Sequence, residues 1–594
     1  MVTRFEQLAS ETLYEIFSYL SFPNVLTSFS NLNSTLTSLV NAHHIWINLS
    51  NISLTTFDYY CRHILPSRRE QIHGLTLSNE QTVSEITLFI SIFYLIRFTK
   101  LRSLTLIEPT QDEFQHITTT ILKLPQLRHL SVTWNDDHKF RQIGPTIFKP
   151  ILLEIRTLKS CELSFLDTAY FLSSVEQMSS TIQYLTIHRC DIDCLFHVLD
   201  YFPQLKSLSI QDRVTAAIKG LTDDAYKRIK ETTPASSLTC LKIRVFNVEY
   251  LFIEFLIEKC PKLKKLAFSF VGDSGLDFLD NDRWEWIVQS LSFLSVFQLY
   301  IEIWDIIESE MEYLNYMVDR FQDQFWTSRG IYFIYDYYHD TTANQLNLIV
   351  YTQIYPDIDF STQWGQLRLP LSPLTTRTTY VNVKTLTLLI LNTQQMVDEL
   401  KQLNSRYYPN VEKLTIKFEK TSGLHQFGSY IDKLIRLSNI KHLNIVDRCH
   451  SSATLFEIVR RSPRLCTLTI IQNQKLLKQI FENKLLCLYL KPMIQNLNIM
   501  YSSRMTVDLC ETICNTFVNL YSFSTSIDLP DDFEDVIPLV VKKLTKLKYF
   551  HVLLNEDRYN FQHKDMDKWI KSVTSLKNFR VTVSEDYRTA HIWI

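Results

Sequence analysis

Glycine is scarce in this sequence, with 9 residues in 594, and none stands in a G-x-x-x-x-G-K-[ST] or G-x-G-x-x-G arrangement. Loops that cradle phosphate through backbone N–H groups need glycine at those spacings, so both kinds of nucleotide site are excluded. Charge of one sign is also missing. The 63 acidic and 61 basic residues leave a formal charge of −2, which offers no electrostatic footprint for nucleic acid or an anionic membrane, and neither is expected as a partner. Long apolar runs are absent as well: the longest, ITLFISIFYLI at 86–96, falls short of the ~18–20 residues that cross a bilayer. The opening MVTRFEQLAS has no apolar h-region or small-residue cleavage site, so no secretory signal is expected. The 11 cysteines are odd in number, scattered, and spaced neither as a disulfide framework nor as a zinc ribbon. That usage fits a reducing compartment, the cytoplasm or the nucleus, and leaves the sequons at Asn33, Asn48 and Asn51 without a glycosylation role.

What the chain has instead is self-similarity. At this length one core cannot grow to hold everything, so several domains or a repeat array are required. One hexapeptide returns throughout: an aliphatic residue, two variable residues, Leu, one variable residue, an apolar residue. It reads IHGLTL at Ile72, LRSLTL at Leu101, LRHLSV at Leu127, IQYLTI at Ile182, LKSLSI at Leu205, LTCLKI at Leu238 and LKKLAF at Leu263. Later copies begin at Val383, Val411, Ile440, Leu465 and Ile494, with Phe replacing the central Leu at Leu547 and Leu576, and weaker copies fit at Ile155, Leu294 and Leu520. Successive starts lie 23 to 33 residues apart as far as Leu294 and 25 to 29 apart from Val383 onward.

Prolines keep the same phase. Pro125, Pro203, Pro261, Pro409, Pro463 and Pro492 each stand two residues before a copy, where they should stop the preceding helix. Helix-period segments such as 112–124 and 453–462 fill the intervals, so each unit reads strand, loop, helix. A fixed period of this size is the mark of a solenoid rather than of an ordinary globular domain.

From about Arg69 to the C-terminus the pattern resembles the leucine-rich repeat, matched most fully by IQYLTIHRCDI at 182–192. The resemblance implies an α/β solenoid over 69–594, with parallel strands on a concave recognition face and helices on the convex side. The interval 300–382 is the irregular stretch. Its simplest reading is two decayed repeats, with strands at 330–338 and 346–352; the functional reading is a tyrosine-rich lid over the ligand.

Before the repeats, 5–22 reads FEQLASETLYEIFSYLSF. Ser10 is a candidate N-cap with Glu11 in the first turn, and Leu13, Ile16, Phe17 and Leu20 form one apolar helical stripe. Val25, Phe29, Leu32, Leu36 and Leu39 follow, then Trp46 and Leu49, which is more apolar surface than three short helices can bury among themselves. Residues 4–50 resemble the F-box: Leu8-Ala9-Ser10-Glu11 at its start, the Leu13, Ile16, Phe17 and Leu20 helix, Val25-Leu26, and a late Ile45-Trp46 with Leu49. Ala9 stands where that family usually has proline.

The resemblance implies docking onto the Skp adaptor of Skp–cullin–F-box ubiquitin ligases, and through it onto the cullin–RING ligase. Leu8, Leu13, Ile16, Phe17, Leu20, Val25 and Leu26 would be the adaptor contacts. The repeats would then hold a protein substrate near the ubiquitin donor, a proximity effect that asks for no catalytic group and no cofactor here. Four constellations bear on chemistry. His188, Cys190, Cys194 and His197 fall on repeat positions, VGDSGL around Ser274 is not G-x-S-x-G, Asp277, Asp280 and Asp282 lack calcium-loop spacing, and no phosphate loop exists. An enzyme is not expected. The competing expectation is a free-standing leucine-rich scaffold or inhibitor, with 4–50 as a cap on the first repeat.

Overall fold

In the computed structural model the described residues are all but 1–7, 21, 31, 51, 81–83, 135–149, 153, 168–179, 216–231, 274, 341–344, 354–358, 365–378, 391–406, 419–426, 448–451, 472–473, 501–504, 528–529, 555–565 and 584–588. The architecture is mixed α/β, with parallel strands in large sheets and helices between successive strands. Two compact units divide the chain: Met1–Cys240 with Glu258–Pro261, and Leu241–Ile257 with Lys262–Ile594.

The first unit opens with helices α1 (Ser10–Ser18), α2 (Phe22–Phe29) and α3 (Ser34–Ala42). Strands β1 (Ile45–Asn48), β2 (Ile72–Ser78), β3 (Ser103–Ile107), β4 (His129–Thr133), β5 (Ser160–Asp167), β6 (Tyr184–Asp191) and β7 (Ser207–Thr215) follow and lie side by side in chain order. The pairing is parallel throughout. Its register explains the hexapeptide. Leu75, Leu104, Leu130, Cys161, Leu185 and Leu208 stand opposite one another and are buried, because alternate residues of a strand share a face. The weak copy expected at Ile155 is corrected by three residues. Leu158 holds the first aliphatic position, and Cys161 takes the place of the central Leu.

Helices return the chain between strands, and polar caps start several of them. The segment expected to be helical at 112–124 forms Gln111–Ile121, where Thr110 and Glu113 make a reciprocal capping box. Ser452–Arg460 fills the interval expected at 453–462. Pro492 departs from expectation by lying inside the last turn of Lys484–Met493 rather than beyond it.

The second unit holds β8 (Cys240–Phe246, all but its first residue), β9 (Lys265–Gly272), β10 (Val296–Ile303), β11 (Phe333–Asp340) and β12 (Gln345–Thr352). The order is β8-β9-β10-β12-β11, with β12 antiparallel to both β10 and β11. Strands therefore exist where two decayed repeats were expected, but they form an antiparallel hairpin added to the sheet instead of parallel repeats, while 341–344, 354–358 and 365–378 of the stretch read as a lid lie outside the described residues.

A further set runs β13 (Asp359–Trp364), β14 (Thr385–Ile390), β15 (Lys413–Phe418), β16 (His442–Asp447), β17 (Thr467–Ile471), β18 (Asn496–Met500), β19 (Ser522–Ile527) and β20 (Tyr549–Leu554), all parallel. It ends in β21 (Arg580–Val583) and β22 (Thr589–Trp593), with β22 antiparallel to β20 and β21 outermost. Within this unit Tyr351 and Tyr380 share a buried hydroxyl contact of 2.7 Å, and Tyr380 stacks on Tyr408 at 4.6 Å.

Candidate protein-docking site

The N-terminal helices are built from their apolar spacing. Leu13 and Phe17 of α1 are 2% and 1% exposed, and Val25 of α2 is fully buried. The Phe17 ring packs at 5.0 Å from Phe29 and edge-on to His43 at 5.6 Å. Each such burial contributes roughly 1.5–3 kcal/mol, so these side chains hold the three helices together. Asn33 caps α3 by accepting the Leu36 N–H at 2.7 Å. The expected Ser10 cap is not formed. Ala9 occupies the N-cap position without a side-chain bond, and Ser10 is the first helical residue.

The seven expected contact residues therefore divide. Leu13, Phe17 and Val25 face inward, Leu8, Ile16 and Leu26 are half-buried, and Leu20 is 38% exposed. A concavity of ≈ 620 Å³ opens where α1, α2 and the end of α3 meet β1. Phe17, Leu20 and Val25 line it, joined by Tyr14, Phe22 and Trp46. His43 and His44 complete the wall, with Tyr14 stacked on His43 at 5.7 Å. Burial, helped by His44, lowers the His43 pKa and so favours its neutral imidazole. Tyr19, Leu32 and Trp46 are 81%, 63% and 64% exposed and add apolar surface to this N-terminal segment.

Sequence periodicity selected the stripe but missed Tyr14, Phe22 and the His43-His44 pair. The signal for Trp46 lies in Gly74. A Cβ added there would meet the Trp46 ring at 2.0 Å, so the missing side chain at Gly74 is what lets the indole lie across β2.

The His, Cys and Asp constellations fall elsewhere. Cys190 and Cys194 are buried, the His197 ring stacks on Tyr201 at 5.7 Å, and His188 lies 3.9 Å from Asp212. Among the described residues no group of three His, Cys, Asp or Glu side chains is placed to hold a metal ion. Asp280 caps Asn281–Ser290 and Asp282 pairs with Arg320 at 2.5 Å, while Ser274 lies outside the described residues. No helix among the described residues is long and apolar enough to cross a membrane. No protein-family model matches the sequence, and no curated protein matches it significantly.

The N-cap yields a direct prediction. Ala9 has φ of −61°, the value that proline enforces, so Ala9→Pro should stabilise α1 by about 0.4–1 kcal/mol through the unfolded chain. Hydrogen exchange of the α1 amides reads this out, with slower exchange expected and faster exchange counting against it.

Proposed function

We propose that this chain is the substrate-recognition subunit of a Skp–cullin–F-box type ubiquitin ligase. The N-terminal helices would dock the adaptor, and a leucine-rich-repeat solenoid would hold the protein substrate. The observation that carries the reading is the apolar concavity framed by α1, α2 and β1, with Leu20, Tyr19 and Trp46 exposed at or near its rim. Exposed apolar patches of this kind mark protein contacts, and aromatic anchors dominate such interfaces. The run of parallel strands joined by helices supports the solenoid, since stacked strand–helix units bury a continuous core.

The burial of Leu13, Phe17 and Val25 favours a second reading. In it the three helices and β1, which pairs with β2 at the edge of the sheet, serve as a cap, and the protein is a scaffold or inhibitor attached to no ligase.

Capture of purified Skp adaptor by the full chain separates the two. The intact chain should retain it, and the double variant Tyr19→Asp with Leu20→Asp, which alters only exposed side chains, should lose binding by tenfold or more with unchanged circular dichroism. No capture by the intact chain removes the ligase reading and leaves the cap.

A further inference from the structure

The near-zero net charge hides a local segregation of charge in the first unit. Successive strands there are tied by one recurring bond pattern. The Arg102 carbonyl accepts the N–H groups of Arg128 and His129 at 2.8 and 2.9 Å, the Arg128 carbonyl accepts those of Lys159 and Ser160, and the Lys159 carbonyl those of Gln183 and Tyr184. The Gln183 carbonyl does the same for Lys206 and Ser207. Each acceptor is the residue just ahead of its strand, so Arg102, Arg128, Lys159, Gln183 and Lys206 form a single row across the entry edge of β3 to β7. At roughly 4.8 Å per strand, Arg102 to Lys206 spans about 19 Å.

Arg128 and Lys206 are exposed, and no carboxylate lies in the row. Among the described residues, Arg102, Arg128 and Lys206 have no ion-pair partner; the Arg102 Nε, itself buried, has no hydrogen-bond partner. Lys159 Nζ reaches only the Thr181 carbonyl, at 3.4 Å. The nearest acid on the outward face, Glu162, is two residues along β5 from Ser160 and is engaged by Ser131 at 3.0 Å and Gln211 at 3.5 Å. Burial, then His44, Arg102 and Lys100, lower the imidazole of His73, the second residue of β2, whose carbonyl accepts the Arg102 N–H, to about 4. The corresponding row in the second unit is different in kind. Ahead of β14 to β20 it reads Lys384, Glu412, Lys441, Cys466, Gln495, Tyr521 and Lys548, with a carboxylate in the row that neutralises Lys441 at 2.8 Å.

We infer that the Arg102–Arg128–Lys159–Lys206 row is a docking surface for an extended, Asp/Glu-rich segment of a partner protein. The complementarity is of charge and length. An extended chain advances ~3.3–3.6 Å per residue, so about six residues cover the row, and their carboxylates meet cations that no acid among the described residues neutralises. Nucleic acid fits less well. The adjacent outward row reads Ser103, His129, Ser160, Tyr184, Ser207, with serine at most positions where bases would need a stacking platform. The inference deepens the receptor reading by giving the chemistry of what is received, and it rests on that reading for its purpose.

The test uses the full chain and a fluorescein-labelled peptide of eight glutamates flanked by Gly-Ser, followed by anisotropy. Binding is expected to weaken with added salt, to be absent for the eight-glutamine peptide, and to fall at least tenfold in Arg128→Glu with Lys206→Glu, whose side chains are exposed. Equal affinity in that variant, or tighter binding of an eight-nucleotide oligouridylate or of phosphatidylserine vesicles, overturns the inference. Adaptor capture is measured on the same preparations. Capture without glutamate binding sinks the row and leaves the ligase reading standing, whereas glutamate binding lost in the variant, without capture, supports the row and removes the ligase.

Discussion

Trp326→Ala is expected to destabilise the second unit by about 3–5 kcal/mol, the range for removing a large aromatic from a core. Trp326 is fully buried, with its ring 5.1 Å from Phe333, 5.6 Å from Phe297 and 4.9 Å from Phe325. Packing is only part of the loss. The indole Nε1 donates to Asn281 Oδ1 at 2.5 Å, and the Asn281 amide nitrogen reaches Glu285 at 2.7 Å and Asp323 at 3.3 Å. Alanine leaves that buried Asn281 oxygen without its donor, which adds to the cost. Trp326→Phe separates the contributions: it keeps most of the ring contact and strands Asn281, so a loss of about 1–3 kcal/mol is expected. Thermal unfolding followed by near-ultraviolet circular dichroism checks both, and an unchanged midpoint for the alanine variant would show that Trp326 is not a keystone.

Glu113→Ala should cost the first unit a similar amount, through polar rather than apolar contacts. Glu113 is 4% exposed and is surrounded by donors: Asn79 Nδ2 at 2.7 Å, the Thr110 N–H at 2.7 Å, and the Thr87 hydroxyl. Asn79 in turn accepts the Ile86 N–H at 3.1 Å. One carboxylate thus joins the exit of β2, the helix Glu85–Ile92 and the start of Gln111–Ile121. Hydrogen bonds to a charged group are worth roughly 1.5–3 kcal/mol each, and leaving buried donors unmet is costly, so a loss of about 3–5 kcal/mol is expected. Glu113→Gln retains one acceptor and should fall between. Faster proteolysis within 79–121 is the readout. A resistant alanine variant would mean that water replaces the carboxylate at no cost.

These two networks show what the sequence could and could not reveal. The strands were legible because Leu75, Leu104 and Leu130 repeat at one spacing and every copy obeys the same alternation. Cys161 broke that legibility: a small apolar residue in a Leu position let Ile155 pass for the start of the copy, although Leu158 holds it. The hairpins β11–β12 and β21–β22 were hidden for another reason. Alternation marks a strand but carries no sign of its direction, so parallel and antiparallel partners read alike. At the docking site, the stripe of Leu13, Ile16, Phe17 and Leu20 was visible, yet helical spacing gives only the face. Which of its members turn toward α2 and α3, as Leu13 and Phe17 do, depends on neighbours that the spacing does not name. The cation row escaped because composition averages over the whole chain.

Each run of parallel strands finishes the same way, with β12 and β22 reversing direction against β10 and β20. A parallel ladder has no natural last member, since its final strand offers the same open edge as every one before it. A reversed strand interrupts that ladder, because β12 and β22 stand between the last parallel strand and the outermost strands β11 and β21, which run in the original direction again. The outermost strand of the second run, β21, is also only 4 residues long. The two hairpins thus act as full stops. Each run closes on an antiparallel pair instead of a further parallel strand–helix unit.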